Sequence, residues 1–135
     1  MGGRIGPKGG TVRPFIVDFE DAAKDNDAFR RVLATSEHAQ ITAMTIGEED
    51  EMGLTTLFAD QIVFVIKGDA EIIAGDLHEE VAKDALVVVP AGVPSNIRNI
   101  GDKALRLINV VVPPIYEAGA VHFSKEDAAQ PEVVG

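Results

Sequence analysis

Short apolar segments separated by turn-forming residues run through most of this chain. Glycine accepts positive φ at no steric cost, so Lys67-Gly68-Asp69 and Ala74-Gly75-Asp76 are predicted hairpin turns, and residues 90–94 (Pro-Ala-Gly-Val-Pro) a rigid turn. Many short strands at even spacing favour an antiparallel sandwich or barrel. The predicted strands are Phe29–Thr35, Gln40–Ile46, Leu54–Phe58, Ile62–Ile66, Ala70–Ala74, Leu77–Val81, Leu86–Val89, Ser95–Asn99 and Leu105–Val112.

One short helix is predicted ahead of the strands. Asp18 is a suitable N-cap for Phe19–Lys24, which carries acidic residues in its first turn. We expect residues 1–16 to be a mobile N-terminal segment, 17–128 a single domain and 129–135 a C-terminal tail. The chain from Gly119 onward is predicted to be irregular.

Composition narrows the function classes. The chain has 135 residues, which favours one domain, and 12 Lys+Arg against 22 Asp+Glu give a net charge of −10. An acidic surface disfavours binding to nucleic acid and to anionic membranes. There is no cysteine, so disulfides and thiolate chemistry are excluded. No apolar run is long enough to span a bilayer and residues 1–10 lack a signal-peptide core, so a cytoplasmic protein is expected.

Two groups of residues carry a family resemblance. The first is Thr55-Thr56-Leu57, Gln61 and Gly68; the second is Asp84, Pro90-Ala91-Gly92, Ser95 and Asn99. Their spacing resembles the two motifs of the cupin superfamily, H-x-H…E…G and G…P-x-G…H…N. The likeness extends from about Val17 to Ala128 and is to small bacterial cupins often labelled as similar to mannose-6-phosphate isomerase. It implies an all-β double-stranded β-helix (jelly-roll barrel) with a short N-terminal helix.

The metal-binding positions of that family are substituted here. They carry Thr55, Leu57, Gln61 and Ser95, where the family has histidines and a carboxylate. Leucine cannot coordinate, and neutral oxygens bind divalent transition ions weakly. We therefore expect no metal and no other cofactor. His38, His78 and His122 lack the spacing of a metal site, and whether they converge on one stays open.

Strand alternation predicts what lines the barrel, because side chains point to opposite faces with period two. It predicts an apolar pocket with a few neutral polar groups, no inward lysine or arginine, and no catalytic residue. A small neutral or weakly polar ligand would suit such a pocket. The predicted inward residues include Val63, Val65, Ile97, Leu107 and Val111, with Arg106 facing outward. The candidate ligand-binding residues are Thr55, Leu57, Gln61, Ser95, Asn109 and Tyr116.

Three functions stay open at this point, and whether the chain is an enzyme is among the open questions. The first is a metal-free barrel that binds a small molecule. The second is a metal-independent enzyme of the sugar isomerase or epimerase type, for which the resemblance supplies precedents and Tyr116 is the candidate residue. The third is a degenerate cupin that acts in protein–protein contact. A homodimer is also expected, since Leu86–Val89 and Val110–Val112 are apolar on both faces and the resemblance implies dimers.

Overall fold

The computed structural model of the protein describes residues 13–128. Within this range it has two short helices and nine strands. The helices are α1 (Phe19–Lys24) and α2 (Lys125–Ala128). The strands are β1 (Arg30–Thr35), β2 (Gln40–Ile46), β3 (Asp60–Lys67), β4 (Asp69–Ala74), β5 (Leu77–Ala82), β6 (Leu86–Val89), β7 (Ser95–Asn99), β8 (Leu105–Val112) and β9 (Val121–His122).

The strands form two antiparallel sheets that enclose one core. The larger sheet has the order β6-β3-β8-β2-β1-β9, and the smaller has the order β5-β4-β7. Strands that are distant in the chain are therefore neighbours in the larger sheet, as in a jelly roll. The predicted all-β barrel with a short N-terminal helix is confirmed.

Helix α1 begins where the sequence predicts it. The Asp18 carboxylate accepts a hydrogen bond from the Asp21 backbone N–H at 2.9 Å, which satisfies one of the free donors of the first turn. Ala23 on this helix packs with Ala43, Ile66 and Ile108 on the outer face of the larger sheet. The helix therefore covers part of the sheet surface that faces away from the core.

Gly68 lies at a corner between the sheets. The hairpin predicted at residues 67–69 is wrong, because β3 and β4 belong to different sheets and do not pair. Gly68 has φ +104°, and a Cβ there would lie 3.1 Å from the Leu105 Cα. The hairpin at residues 74–76 is confirmed, with Ala74 opposite Leu77.

The predicted strand Leu54–Phe58 is wrong. Only Thr55 pairs, through an isolated bridge to Ser95. Leu54 and Phe58 are 71% and 86% exposed, so the apolar character of this segment does not reflect burial in a sheet. Gly53 has φ +101°, and beyond the bridge the Leu57 carbonyl accepts one further hydrogen bond, from the Gly92 N–H at 2.8 Å.

Between Gly119 and residue 128 the chain forms a short strand and a short helix, which corrects the predicted irregular structure of this part. Strand β9 pairs with β1, so that His122 lies opposite Arg30. The Lys125 ammonium donates to Asp50 Oδ1 at 2.7 Å and connects α2 to the loop after β2. Residues 1–12 of the predicted mobile segment 1–16, and the predicted tail 129–135, lie outside the described residues. No helix in the described range is long and apolar enough to cross a membrane.

The interior of the barrel has an apolar end and a polar end. Large apolar side chains fill the first, with Met44, Val65, Ile72 and Leu107 almost completely buried. At the second end the buried side chains include the polar residues Gln40, Thr42, Gln61, Ser95 and Asn109. A polar group that is buried in this way requires hydrogen-bonding partners, so this end is the candidate site.

Candidate functional site

The strand register places the polar residues of three adjacent strands on the inward face. Asn109 on β8 lies opposite Thr42 on β2 and opposite Val63 on β3. Opposed residues in an antiparallel pair project from the same face, and Val63 belongs to the core. Gln61 lies one inward position from Val63 on the same strand and is only 3% exposed. The predicted inward orientation of Gln61 and Asn109 is therefore confirmed.

Gln61 and Asn109 form a side-chain amide pair. Asn109 Nδ2 donates to Gln61 Oε1 at 3.0 Å. Asn109 is 4% exposed, and its Oδ1 accepts no hydrogen bond from any group in residues 13–128. The hydrogen bond therefore pairs Gln61 Oε1 with an Asn109 N–H and leaves Asn109 Oδ1 as a buried acceptor.

The other candidate residues form two further contacts. Thr55 and Ser95 exchange two backbone hydrogen bonds, with N–H to O distances of 2.9 and 2.8 Å. Leu57 and Tyr116 pack on one apolar cluster that contains Val111, the Cα partner of Gln61 on β8. The structure thus groups the six candidates pairwise around one end of the barrel, while Thr55 and Leu57 remain partly exposed.

Arg30 lies on the inward face of β1, so the prediction that no arginine faces inward is wrong. Its Cα partner is Met44, a core residue, and Arg30 is only 8% exposed. The guanidinium carbon lies 4.4 Å from the centre of the Tyr116 ring and 5.3 Å from that of Phe29. Stacking of this kind lets a charged group lie in a poorly hydrated place.

The signal for Arg30 was present in the sequence. Arg30 and Arg31 are adjacent in a predicted strand, and adjacent strand residues face opposite sides, so one of the two must point inward. Neither residue was expected to face the interior, because both are charged and arginine is seldom buried without partners. The partners come from Tyr116 and His122, which are far from Arg30 in the chain.

His122 is a second interior residue that the sequence did not indicate. It is 3% exposed, and Arg30 Nη1 lies 3.4 Å from its Nδ1. A guanidinium can only donate, so Arg30 is the donor in any hydrogen bond between these two atoms. The His122 ring lies 6.0 Å from the Tyr116 ring in an edge-on arrangement. Burial raises the pKa of Tyr116 above its ordinary value, and the nearby Arg30 charge partly opposes that rise.

The residues that the sequence resemblance aligns with metal ligands lack the donors of a transition-metal site. No group of three His, Cys, Asp or Glu side chains in residues 13–128 could hold one. The side chains of His38 and His78 are 86% and 61% exposed, and His78 pairs with Glu71 at 2.9 Å on the surface. His122 lies inside the barrel, so the three histidines do not converge.

Comparison with known proteins shows which family the chain belongs to. A family model described as a cupin domain matches residues 59–111. The chain is 34% identical over 127 residues to the uncharacterized protein YrkC of Bacillus subtilis, covering 89% of this chain and 68% of that protein. The crystal structure of BH2720 from Bacillus halodurans superposes with a TM-score of 0.84 and 37% identity, covering 87% of this chain and 94% of that one. This chain belongs to the cupin superfamily.

A more distant structure is consistent with that assignment. An RmlC-like cupin from Methanocaldococcus jannaschii, with a double-stranded β-helix fold, is 21% identical with a TM-score of 0.61 and covers 77% of this cupin and 94% of its own chain. At that identity the likeness concerns the fold alone. The narrower resemblance to mannose-6-phosphate-isomerase-like cupins stays a prediction.

Proposed function

We propose that this cupin binds a small organic molecule at the polar end of its barrel, without a transition metal. The observation that carries the proposal is the buried Gln61–Asn109 pair with an acceptor oxygen to spare. A buried acceptor without a donor costs about 1–3 kcal/mol, so a bound molecule that supplies the donor is stabilised there. Apolar walls with a few polar groups are typical of small-molecule sites.

The side chains at this end support a small neutral or weakly polar ligand. Gln61, Asn109 and Ser95 are uncharged polar residues, and their neighbours Val63, Val111 and Leu57 are apolar. The interior does contain a positive charge, the inward guanidinium of Arg30. The proposal that the ligand is neutral therefore rests only on the uncharged amides of Gln61 and Asn109.

The metal-free part of the proposal follows from donor chemistry. Thr55, Gln61 and Ser95 present only neutral oxygens, and Leu57 presents none. Divalent first-row ions prefer imidazole and carboxylate donors in such sites. The only buried imidazole in residues 13–128 is that of His122, whose Nδ1 faces Arg30.

The experiment is native mass spectrometry of the protein purified without an affinity tag, combined with elemental analysis. We expect a bound organic mass and less than one tenth of an equivalent of iron, manganese, nickel or zinc. The matched variant is Gln61→Leu with Asn109→Leu, which removes both amides and leaves neither partner unsatisfied. This double variant should fold and lose the bound mass. A stoichiometric metal lost in the double variant, or a wild-type barrel that retains no molecule, would refute the proposal.

A second candidate function is a metal-independent isomerase or epimerase. The observation that favours it is that His122 joins Tyr116 inside the barrel, beside Arg30. Proton transfer at carbon requires groups that gain and lose a proton within reach of the substrate, and imidazole and phenol are such groups. Deuterium uptake by hexose 6-phosphates and ketohexoses in heavy water, followed by nuclear magnetic resonance, tests it. Uptake that is abolished by His122→Asn and Tyr116→Phe would favour this candidate over simple binding.

The outer face of the larger sheet supports a proposed homodimer. Leu86 and Val88 on edge strand β6 are 60% and 59% exposed. They share the outer face with Phe64 and Val110, which line an apolar groove of about 320 Å³ beneath the segment 15–19. A two-fold interface requires one surface that complements itself, and a projecting edge beside a groove can do so.

Sedimentation velocity tests the dimer. The variant Leu86→Lys with Val88→Lys places two charges on the projecting edge and should sediment as a monomer. The matched control is Leu77→Lys, because Leu77 is also exposed but lies on the smaller sheet. A wild-type protein that is monomeric at micromolar concentration would contradict the proposal.

A further inference from the structure

We infer that the β6 edges of two copies of this chain pair with each other in antiparallel orientation, with Leu86 of one copy opposite Val88 of the other. The inference rests on the homodimer proposed above and specifies the surface that forms it. This pairing joins the larger sheets of the two copies into one continuous sheet across a two-fold axis.

Strand β6 differs from the other strands that lie at sheet edges in residues 13–128. Edge strand β5 carries charged residues, among them Glu79 and Glu80, which discourage pairing with another chain. Edge strand β7 is bridged by Glu51 and Thr55, and β9 has only two residues. Strand β6 has four apolar residues and no charge, so its edge is the one best suited to accept another strand.

The hydrogen bonds at the start of β6 determine which backbone groups face the edge. The Val65 N–H on β3 donates to the Ala85 carbonyl at 3.0 Å. Hydrogen-bonded pairs alternate along an antiparallel ladder, so the next such pair joins Val87 to its partner on β3. Leu86 and Val88 therefore direct their backbone N–H and C=O groups away from β3, towards the edge. Backbone groups of this kind are paired in stable sheets.

The outward donors end on both sides of this short stretch. Pro90 has no N–H, and the Asp84 N–H already donates to the Val65 carbonyl at 2.8 Å. Between residues 84 and 90, the outward donors are thus those of Leu86 and Val88. The antiparallel register that uses both of them in both copies places Leu86 opposite Val88. The same register places Asp84 opposite Pro90, and because neither offers a donor, no N–H is left unmatched.

The side chains favour a second copy as the occupant of this edge. Leu86 and Val88 project from the outer face beside Phe64 and Val110, and they are 60% and 59% exposed. Opposed residues in a hydrogen-bonded antiparallel pair have Cα atoms about 5.5 Å apart, so each leucine packs on the valine of the other copy. The strand of another protein would have to match this pattern independently, whereas a second copy already carries it.

Disulfide formation between single-cysteine variants tests the register. The chain has no cysteine, so Leu86→Cys and Val88→Cys each introduce a unique thiol. In the inferred register, position 86 faces position 88 of the second copy, and two identical positions lie beyond the roughly 7 Å between Cα atoms that a disulfide can span. We expect an oxidised mixture of the two variants to give at least about tenfold more linked dimer than either variant alone. Leu77→Cys, exposed on the smaller sheet, is the control and should link to neither.

Hydrogen exchange measured by nuclear magnetic resonance tests the backbone bonds. The N–H groups of Leu86 and Val88 are bonded only in the dimer, so their exchange should become at least about tenfold faster on dilution to the monomer. The Val87 N–H bonds to β3 in both states and is the internal control. Val88→Pro removes one edge donor without affecting the bonds to β3, and it should sediment as a monomer with an unchanged circular dichroism spectrum. Val88→Ile keeps the donor and should remain dimeric.

The outcomes distinguish the inferred register from the homodimer on which it rests. A wild-type protein that is monomeric at micromolar concentration would overturn both, and would leave the edge to a strand of another protein. A dimeric wild type would overturn the inferred register alone if the cysteine mixture formed no more linked dimer than the single variants. Equal exchange of the Leu86 and Val88 amides in dimer and monomer would have the same consequence.

Discussion

Asn109 on β8 donates its side-chain amide to Gln61 on the neighbouring strand β3, and the two residues form a polar contact within an otherwise apolar wall. The N to O distance is 3.0 Å, and both residues are almost fully buried. The sequence resemblance predicts that Gln61 stands at the position of a metal-binding carboxylate, and in this chain the side chain accepts a hydrogen bond from the neighbouring strand instead.

The amide pair predicts a strong non-additivity in stability. Gln61→Leu leaves Asn109 Nδ2 without its partner, and we expect the free energy of unfolding to fall by about 1–3 kcal/mol. Asn109→Leu leaves Gln61 Oε1 in the same state. The double variant removes both polar groups and should be close to the wild type. Urea denaturation of all four proteins measures the coupling, which we expect to exceed about 1 kcal/mol. If the double variant instead loses the sum of the two single losses, the two side chains contribute independently to stability.

The contact between Arg30 and Tyr116 predicts a measurable change in titration. Burial raises the pKa of Tyr116, and the Arg30 charge lowers it, so Arg30→Met should raise the pKa further. Tyr116 is the only tyrosine and the chain has no tryptophan, so tyrosinate absorbance reports this residue alone. Arg30→Lys keeps the charge and is the matched control. A pKa that falls in Arg30→Met would contradict the observed stacking.

Gly68 predicts a stability loss that depends on backbone geometry. Gly68→Ala places a Cβ at φ +104° and within 3.1 Å of the Leu105 Cα, where only backbone movement could relieve the contact. We expect a loss of about 1–3 kcal/mol by thermal or urea denaturation. Gly47→Ala is the control, because no atom lies within 4 Å of its Cβ and it has no positive φ; its effect should stay within about 0.5 kcal/mol. Equal effects of the two substitutions would argue against a strained corner.

The ion pair between Lys125 and Asp50 predicts how the attachment of α2 depends on pH. The hydrogen bond from Lys125 lowers the pKa of Asp50, and the bond to Asp50 raises the pKa of Lys125. Because the pKa of the Asp50 carboxyl is lowered in the folded state, the pair contributes to stability above about pH 3.9. This contribution is lost as the pH falls through the lower pKa of the folded state. Because the pKa of the Lys125 ammonium is raised in the folded state, the pair contributes to stability below about pH 10.4. This contribution is lost as the pH rises through the higher pKa of the folded state.

The attachment of α2 is therefore expected to be strongest between these limits and to weaken with salt, because the pair is partly exposed. Heteronuclear relaxation of the α2 amides measures it. Lys125→Met should remove the pH dependence in the acid range, whereas Lys24→Met, which breaks a separate surface pair with Glu20, should leave it intact. An acid transition of α2 that persists in Lys125→Met would point to another group.

The fold could be predicted from the sequence because its signals are local. Asp18 caps α1 as expected, and the two-residue turn after Ala74 joins paired strands. The errors arose where structure depends on distant partners. Residues 54–58 have the composition of a strand but form only one isolated bridge, whereas Val121 and His122 become a strand because β1 lies beside them. Periodicity describes one segment and does not say which edge of a sheet is available.

The positions of the candidate site residues in the fold were predicted in part for the same reason. Alternation on β3 and β8 was enough to place Gln61 and Asn109 on one face, since both strands are regular there. The cluster of Arg30, Tyr116 and His122 joins residues separated by as many as 92 positions in sequence, and no short motif contains it. A buried charge is stabilised by partners that only the folded chain assembles.

The most direct test of the central claim is native mass spectrometry of untagged wild-type protein beside the double variant Gln61→Leu with Asn109→Leu, with elemental analysis of both. We predict an organic molecule bound to the wild type and absent from the variant, with no stoichiometric transition metal in either. A wild-type protein that carries one equivalent of metal, or one whose bound molecule persists unchanged in the double variant, would contradict the account.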